Sequence, residues 1–340
     1  MTTSFSSLPI VDLSTLSQTI QSPASLVALG NQLYDVFATT GFAYLINAPL
    51  SFSHEDVFKL ASDFFGITHA EKMSLAKKTF VNSNTNTYRG YFPTQSGHNG
   101  NRKEGFEIGT PKTPQHAAVG RHLKFNLDEA NVWPETANFV DRRTQLEMQH
   151  HELQALSATL LSLLAVALGK PAGYFDAYLD DSLSTLRLLH YPPQATPAKK
   201  GDQVELCCTP HTDSGILTLL HQDKTGGLEV LSSDGKWVAA PYVPGSIVVN
   251  IGDLMGEVSG GRFVATMHRV RRDEGGRMRP DGMGRFSVPF FFEPGESCVV
   301  RSVDGGDGVV YGEHVRRKMR DWVEYEDLPD SEHAMGLPAV

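Results

Sequence analysis

The sequence predicts a mainly β protein with flanking helices: an N-terminal α/β region followed by an antiparallel double-sheet barrel of the jelly-roll kind. Three observations point there. The first half carries stretches with apolar residues at helical spacing. The second half breaks into short apolar segments between turn residues, as in a barrel of many short strands. No internal repeat or low-complexity tract interrupts either half. At 340 residues, 40% apolar and 20% charged, the chain can bury a sizeable core.

The elements follow in order. Ser22 before Pro23 reads as an N-cap with proline at the first helical position, opening a helix that runs to about Thr39. Gly41 breaks it, and residues 42–46 read as a short buried strand. Ser53 caps a second helix with Val57, Leu60, Ala61 and Phe64 on one face, ended by Gly66. Residues 82–120, rich in Asn, Gly, Thr and Pro, read as a long loop of the sort that covers active sites. A long amphipathic helix over 140–168 turns Leu153, Leu156, Leu160, Leu161, Leu164 and Leu168 to the core, and Gly169 and Pro171 stop it. Strands are expected at 186–191, 216–220, 228–231, 246–251, 263–265, 285–292 and 298–300, with turns at Gly226-Gly227 and Asp234-Gly235. A helix near 315–323 closes the pattern. The expected division is an N-terminal helical region over 1–130, a long core helix and connection over 131–180, a jelly-roll core over 181–305, and a C-terminal helix and tail over 306–340.

Composition narrows the function. A net charge of -9 repels phosphate backbones, which speaks against nucleic acid. The basic runs are Arg269 to Arg272 and Val315 to Arg320, the second a solvated helix face. Three cysteines (Cys207, Cys208 and Cys298) form no C-x-x-C pair, so neither a disulfide scaffold nor a zinc ribbon is expected, and a reducing compartment is. No signal peptide is evident at the start, and no apolar run reaches the roughly 20 residues of a membrane helix. The expectation is a cytoplasmic monomer or weak homo-oligomer that meets a small molecule rather than a membrane.

Chemistry enters through histidine and aspartate. Non-haem iron(II) is commonly held by two histidines and one carboxylate on one face of the octahedron, with the other face left open. A strand can supply two of these at i and i+2. His-x-Asp occurs at His54–Asp56, His211–Asp213 and His221–Asp223. The first falls in the first turn of a helix, where i and i+2 diverge and Asp56 suits the dipole. The same helical argument removes His150-His151-Glu152. His221 to Asp223 ends a strand and begins a turn, so a surface turn is expected there. His211 to Asp213 follows Pro210 and precedes Ser214-Gly215 and an apolar strand, at the mouth of the expected barrel. A structural histidine with a turn aspartate is the plain alternative. His268 is the natural third ligand, on a separate segment. Arg285 and Ser287 open the apolar strand 285–292 on one face, with Phe286, Val288 and Phe290 on the other. An arginine there is costly unless it meets an anion, and its planar fork suits a carboxylate. A salt bridge to one of the chain's own acids is the alternative.

Taken in order, these residues resemble the isopenicillin-N-synthase-like family of iron(II)/2-oxoglutarate oxygenases. The resemblance runs from Pro9 to Phe292. It includes Pro9-Ile10-Val11-Asp12-Leu13, Gly41-Phe42-Ala43-Tyr44-Leu45 with Asn47, Tyr88-Arg89-Gly90-Tyr91, Lys103 to Gly109, Leu186 to Pro193, Gly226-Gly227-Leu228, Trp237, and Val249 to Asp253. It implies a double-stranded β-helix, cupin-like, and selects His211, Asp213 and His268 as ligands to Fe(II). It implies that Arg285 and Ser287 bind the distal carboxylate of 2-oxoglutarate, with Tyr191 beside it. Leu189 stands where many members have Asn, and the segment 272–284 is longer than usual and carries Arg277 and Arg279 as competing arginines. The implied activity is a dioxygenase: oxidation of a small organic molecule, in secondary or heterocycle metabolism, with O2 consumed, succinate and CO2 released and ascorbate as activator. Substrate contacts are expected from Tyr91, Phe106, Leu189 and Phe290. The competing readings are a 2-oxoglutarate-independent oxidase of the same fold, a non-catalytic small-molecule-binding relative, and a zinc enzyme.

Overall fold

The computed structural model describes residues 4–20, 22–95, 102–111, 126–136, 139–193, 205–272 and 282–319. Its N-terminal part contains β1 (Ile10–Asp12), α1 (Pro23–Thr39), β2 (Phe42–Ile46), α2 (His54–Phe65), α3 (His69–Ser74), β3 (Gly90–Phe92), β4 (Glu104–Gly109) and α4 (Val140–Ala167). The barrel strands follow: β5 (Thr185–Tyr191), β6 (Leu206–His211), β7 (Leu217–Gln222), β8 (Leu228–Leu231), β9 (Trp237–Ala239), β10 (Ile247–Ile251), then α5 (Asp253–Val258), β11 (His268–Arg271) and β12 (Arg285–Phe292). A short hairpin of β13 (Val299–Val300) and β14 (Val309–Val310) leads into α6 (Tyr311–Met319).

Two sheets face each other. The larger has the order β1-β2-β10-β7-β12-β5-β4-β3, and the smaller β6-β11-β8-β9. The N-terminal strands therefore extend the barrel's own sheet on both edges rather than standing apart from it. Alternation along β12 shows how the layers separate. Phe286 stacks on Phe65 of α2, and Phe290 meets the edge of His150 on α4, so the even positions face the helices. Arg285 packs over Tyr191 and Phe291 lines a cleft, so the odd positions face the smaller sheet. One apolar cluster of Phe92, Leu189, Tyr191, Cys208 and Val270 joins the sheets at one end. Another of Phe42, Tyr44, Leu228, Val230 and Val248 joins them at the other.

Several expectations change. Residues 82–95 and 102–111 are not simply loop: they contain β3 and β4, whose short strands lack a clear apolar alternation because they are buried on both faces. Residues 263–265 form no strand; Phe263 packs edge-on against Tyr34 and Phe37 of α1, and Val264 N–H donates to the Phe37 carbonyl. The last helix begins at Tyr311, not 315; Arg317 is exposed, while Arg316 is held by Glu296 at 2.6 Å and Lys318 by Asp253 at 3.2 Å. The stretch beyond Met319, and Arg277 and Arg279, lie outside the described residues.

Candidate metal centre and its cleft

Strand pairing brings the two distant histidines together. His268 is the Cα partner of His211 across β6 and β11, and their rings lie 4.3 Å apart. Asp213 sits just past the end of β6. Its Oδ1 is 4.0 Å from His211 Nε2 and 3.8 Å from His268 Nε2. One ligand atom from each residue falls within 4.8 Å of the others, a span one ion can bridge. The ring orientations suit that reading. His211 Nδ1 lies 2.8 Å from the Thr209 carbonyl and His268 Nδ1 3.2 Å from the Thr266 carbonyl. Nδ1–H donation to those carbonyls leaves each Nε2 lone pair for a metal.

The carboxylate is equally well supported. Asp213 Oδ2 accepts from Thr218 Oγ1 at 2.6 Å and Asn250 Nδ2 at 2.7 Å. Burial works against its charge, but His268, His211 and these two hydrogen bonds outweigh it and hold the carboxyl below its usual range. The loop is clamped from behind: Asp253 N–H donates to the Asp213 carbonyl at 2.7 Å. A Cβ on Gly252 would lie 2.3 Å from the Gly215 carbonyl oxygen, so only glycine allows that approach.

Arg285 provides the second half of the site. It is buried at 8% exposure, with its guanidinium carbon 4.8 Å from the Tyr191 ring centre. Its Nε donates to the Gly226 carbonyl at 2.7 Å. Among the described residues, Nη1 and Nη2 have no hydrogen-bond partner. Two buried, unmatched donors on a planar cation are the complement of a carboxylate. Ser287 follows on the same face and is buried at 4% exposure. Tyr191 and Leu189 join Cys208 and Val270 in one cluster, which ties this row to the strands that carry His211 and His268. A donor set of two imidazoles and one carboxylate, with an arginine fork unmatched among the described residues, fits a ferrous ion and a dicarboxylate.

A cleft of about 440 Å³ opens at His211 and Asp213. Besides His211 and Asp213 it is lined by Lys103, Thr185, Arg187, Cys208, Phe291 and Glu293 among others. The structure does not bring Tyr91, Phe106 or Phe290 to it. Phe106 stacks on Phe64 of α2 at 4.1 Å, and Phe290 faces α4. Tyr91 donates to Glu104, which also binds Lys72 at 3.0 Å and His190 at 2.6 Å, a buried network on the helix side. Leu189 faces inward beside Tyr191 but does not line this cleft either. The residue missed on β12 is Phe291, and alternation from Arg285 marks it, since odd positions share the arginine's face. Arg187 and Thr185 follow from the same rule on β5. Of the other His-x-Asp pairs, Asp56 caps α2 through Ser53, while His221 and Asp223 are buried rather than on the surface.

The sequence matches the 2OG-Fe(II) oxygenase superfamily over residues 182–294 and the non-haem dioxygenase in morphine synthesis N-terminal family over residues 8–136. A 2-oxoglutarate-dependent dioxygenase of Didymella fabae is 32% identical over 309 residues, 89% of this chain and 90% of that one. This chain belongs to the 2OG-Fe(II) oxygenase superfamily. As a member it is a 2-oxoglutarate-dependent dioxygenase, and the family's cofactors are Fe(II) and 2-oxoglutarate. The oxygenase is also similar to the 2-oxoglutarate-Fe(II) type oxidoreductase hxnY of Emericella nidulans, at 32% identity over 69% of this chain and 65% of that one. Among solved structures, a full-length Neurospora crassa protein in complex with alpha-KG and 5-formyluracil superposes with a TM-score of 0.74 at 26% identity, covering 92% of this chain and 95% of that one. Among the described residues, no helix of the oxygenase is long and apolar enough to cross a membrane.

Proposed function

We propose that the oxygenase holds Fe(II) on His211, Asp213 and His268, binds 2-oxoglutarate through Arg285 and Ser287 beside Tyr191, and oxidises a small organic molecule seated in the adjoining cleft. The observation that carries this reading is the pair of unmatched Arg285 nitrogens in the same barrel as three converging ligand atoms. A bound ferrous ion would supply O2 activation coupled to decarboxylation, giving succinate and CO2, with ascorbate as activator. The chain's own residues do the rest. Nδ1–H bonds fix both imidazoles, Thr218 and Asn250 aim one carboxylate oxygen of Asp213 away from the ion, and Arg285 neutralises the far carboxylate and sets its register. The jelly-roll core 181–305 carries all six of these positions, while the region 1–130 extends its larger sheet with β1 to β4 and lends Tyr88 and Lys103 to the cleft wall.

The substrate is proposed to be a small heterocycle or secondary-metabolite intermediate, an assignment supported by the pyrimidine held in the Neurospora crassa structure. The test is release of labelled succinate from 2-oxoglutarate, stimulated by a substrate panel. Stimulation that vanishes in Asp213→Ala and on chelation is the expected result. O2 uptake with no succinate would instead favour an oxidase that places its own substrate's carboxylate on Arg285. Ligand binding with no O2 uptake would favour a non-catalytic relative, and zinc in anaerobically purified protein would favour a zinc enzyme.

A further inference from the structure

The His-x-Asp pair at 221–223 is no part of the three-ligand group, yet its aspartate is buried at 3% exposure. Asp223 follows β7, whose last residue, Gln222, pairs with Ser287 on β12. Its two carboxylate oxygens serve two different segments. Oδ2 accepts from the Phe286 N–H at 2.7 Å, one residue after Arg285. Oδ1 accepts from the Thr225 N–H at 3.0 Å and from the Thr225 hydroxyl. The Asp223 carbonyl accepts from the Gly226 N–H at 3.3 Å, so the aspartate closes a tight turn around itself. That turn presents the Gly226 carbonyl, which takes the Arg285 Nε–H at 2.7 Å. The smaller sheet holds the turn from its other end, where the Arg271 N–H of β11 donates to the Gly227 carbonyl at 2.8 Å.

A single carboxylate thus fixes Arg285 at both ends. It grips the backbone from which the side chain springs, and it shapes the turn whose carbonyl holds the guanidinium. A planar fork pinned at Nε keeps one direction for its outer nitrogens. Those nitrogens, Nη1 and Nη2, have no hydrogen-bond partner among the described residues. Two parallel bonds to a carboxylate form only when fork and anion share a plane and a separation, so small displacements of the fork are costly.

We infer that Asp223 is a positioning residue for the cosubstrate: it sets the place and direction of the Arg285 fork, and through it the affinity for the far carboxylate of 2-oxoglutarate. The inference rests on the function proposed above and names the group that tunes its cosubstrate site. Its mark is selectivity. Loss of Asp223 weakens 2-oxo acids that carry a far carboxylate and spares the end that meets the metal.

The experiment is anaerobic calorimetry on Fe(II)-loaded protein with two probes. One is 2-oxoglutarate; the other is pyruvate, which shares the 2-oxo acid end and lacks the far carboxylate. Asp223→Ala is expected to weaken 2-oxoglutarate by about 10- to 100-fold, the usual worth of a supporting bond behind a ligand-holding group, and to leave pyruvate unchanged. Asp223→Asn keeps one acceptor oxygen and the side chain's shape, so it is expected to fold even where alanine does not and to lose a smaller factor. Native 2-oxoglutarate affinity in whichever variant folds overturns the inference. An equal fall for both probes also overturns it, because general loosening of the barrel would do the same. Arg285→Met is measured alongside. If that variant keeps native 2-oxoglutarate affinity, the cosubstrate reading itself fails; if it loses affinity and the Asp223 variants do not, the inference fails alone.

Discussion

Replacing Arg285 with methionine should do two opposite things. Without 2-oxoglutarate, Nη1 and Nη2 of Arg285 are buried and unmatched among the described residues. An unsatisfied buried polar group costs about 1–3 kcal/mol, and more when charged. Methionine keeps the stem's contact with Tyr191 and loses the Nε bond to the Gly226 carbonyl, worth about 1 kcal/mol. The variant should therefore be as stable as the native protein, or about 1 kcal/mol more stable, when no cosubstrate is present. With cosubstrate the order reverses. Two charge-assisted hydrogen bonds at about 1.5–3 kcal/mol each give about 3–6 kcal/mol, or roughly a hundredfold to ten-thousandfold in affinity. At a 2-oxoglutarate concentration about 100 times the native Kd, the native protein gains about 2.7 kcal/mol, and the variant less than about 0.5 kcal/mol. Anaerobic denaturant melts with and without 2-oxoglutarate measure both quantities. Equal stabilisation of variant and native protein by 2-oxoglutarate would show that the carboxylate binds elsewhere. A variant several kcal/mol weaker in its absence would show that the fork already has a partner.

Other perturbations separate ligand support from packing. Asn250→Ala removes one of two donors to Asp213 Oδ2 and is expected to weaken metal binding about 10- to 100-fold with little change in fold, as read by metal titration and circular dichroism. Gly252→Ala places a methyl 2.3 Å from the Gly215 carbonyl and should displace the Asp213 loop; native metal affinity in that variant would refute the clamp. Phe290→Ala should cost about 3–5 kcal/mol of stability, because Phe290 is fully buried against His150, and any folded fraction should keep native metal affinity. His150 and His221 respond to acid. Burial pushes His150 down to about 4 and His221 down to about 3, so both stay neutral in the fold while the unfolded chain takes up protons below about pH 6.5. Their folded values are depressed, so stability is complete above that pH and is lost as pH falls, by about 2 kcal/mol per histidine at pH 5. Denaturant melts at pH 7.5 and pH 5 test this, and His221→Phe should flatten the difference; an unchanged slope in that variant would exclude His221 as a source.

The legible parts of the chain were those where one local rule is sufficient. The helix start at Pro23 follows from proline at the first helical position, although the Ser22 side chain makes no capping bond, the start after Ser53 follows from a capping box, and the apolar run 285–292 is a strand in either environment. Illegible parts depended on what packs from outside. Glu104–Gly109 is a strand buried along its whole length, and its Glu104 and Glu107 are tolerated only because Lys72, Lys77, Arg187 and His190 surround them. No alternation in the sequence announces such a segment. His221 offered the opposite difficulty. Its turn signals pointed to the surface, yet α2 covers it and His54 lies 5.0 Å away, ring centre to ring centre. Tyr91, Phe106 and Phe290 are aromatic and near motif residues, but residue type does not tell which side of a sheet a ring occupies. Parity along the strand does, and Phe291 shares parity with Arg285.

Position along the strand, not parity, separates Arg285 from Arg187, which share the inward face. Arg285 pairs with Tyr191 across β12 and β5, and Arg187 lies four residues along β5 from that partner. Four residues of strand span about 13 Å, more than one five-carbon diacid can bridge. The two cations also differ in how they are matched. Arg187 is held by a buried glutamate of its own chain, which fixes its position before any ligand arrives. Among the described residues Arg285 has a carbonyl on Nε alone, and its outer nitrogens await an anion. A fork with no internal carboxylate gains most from an anionic ligand, whereas a fork held by its own chain's glutamate gains less. The arginine without an internal carboxylate is therefore suited to the cosubstrate, and the braced arginine is committed to its own chain.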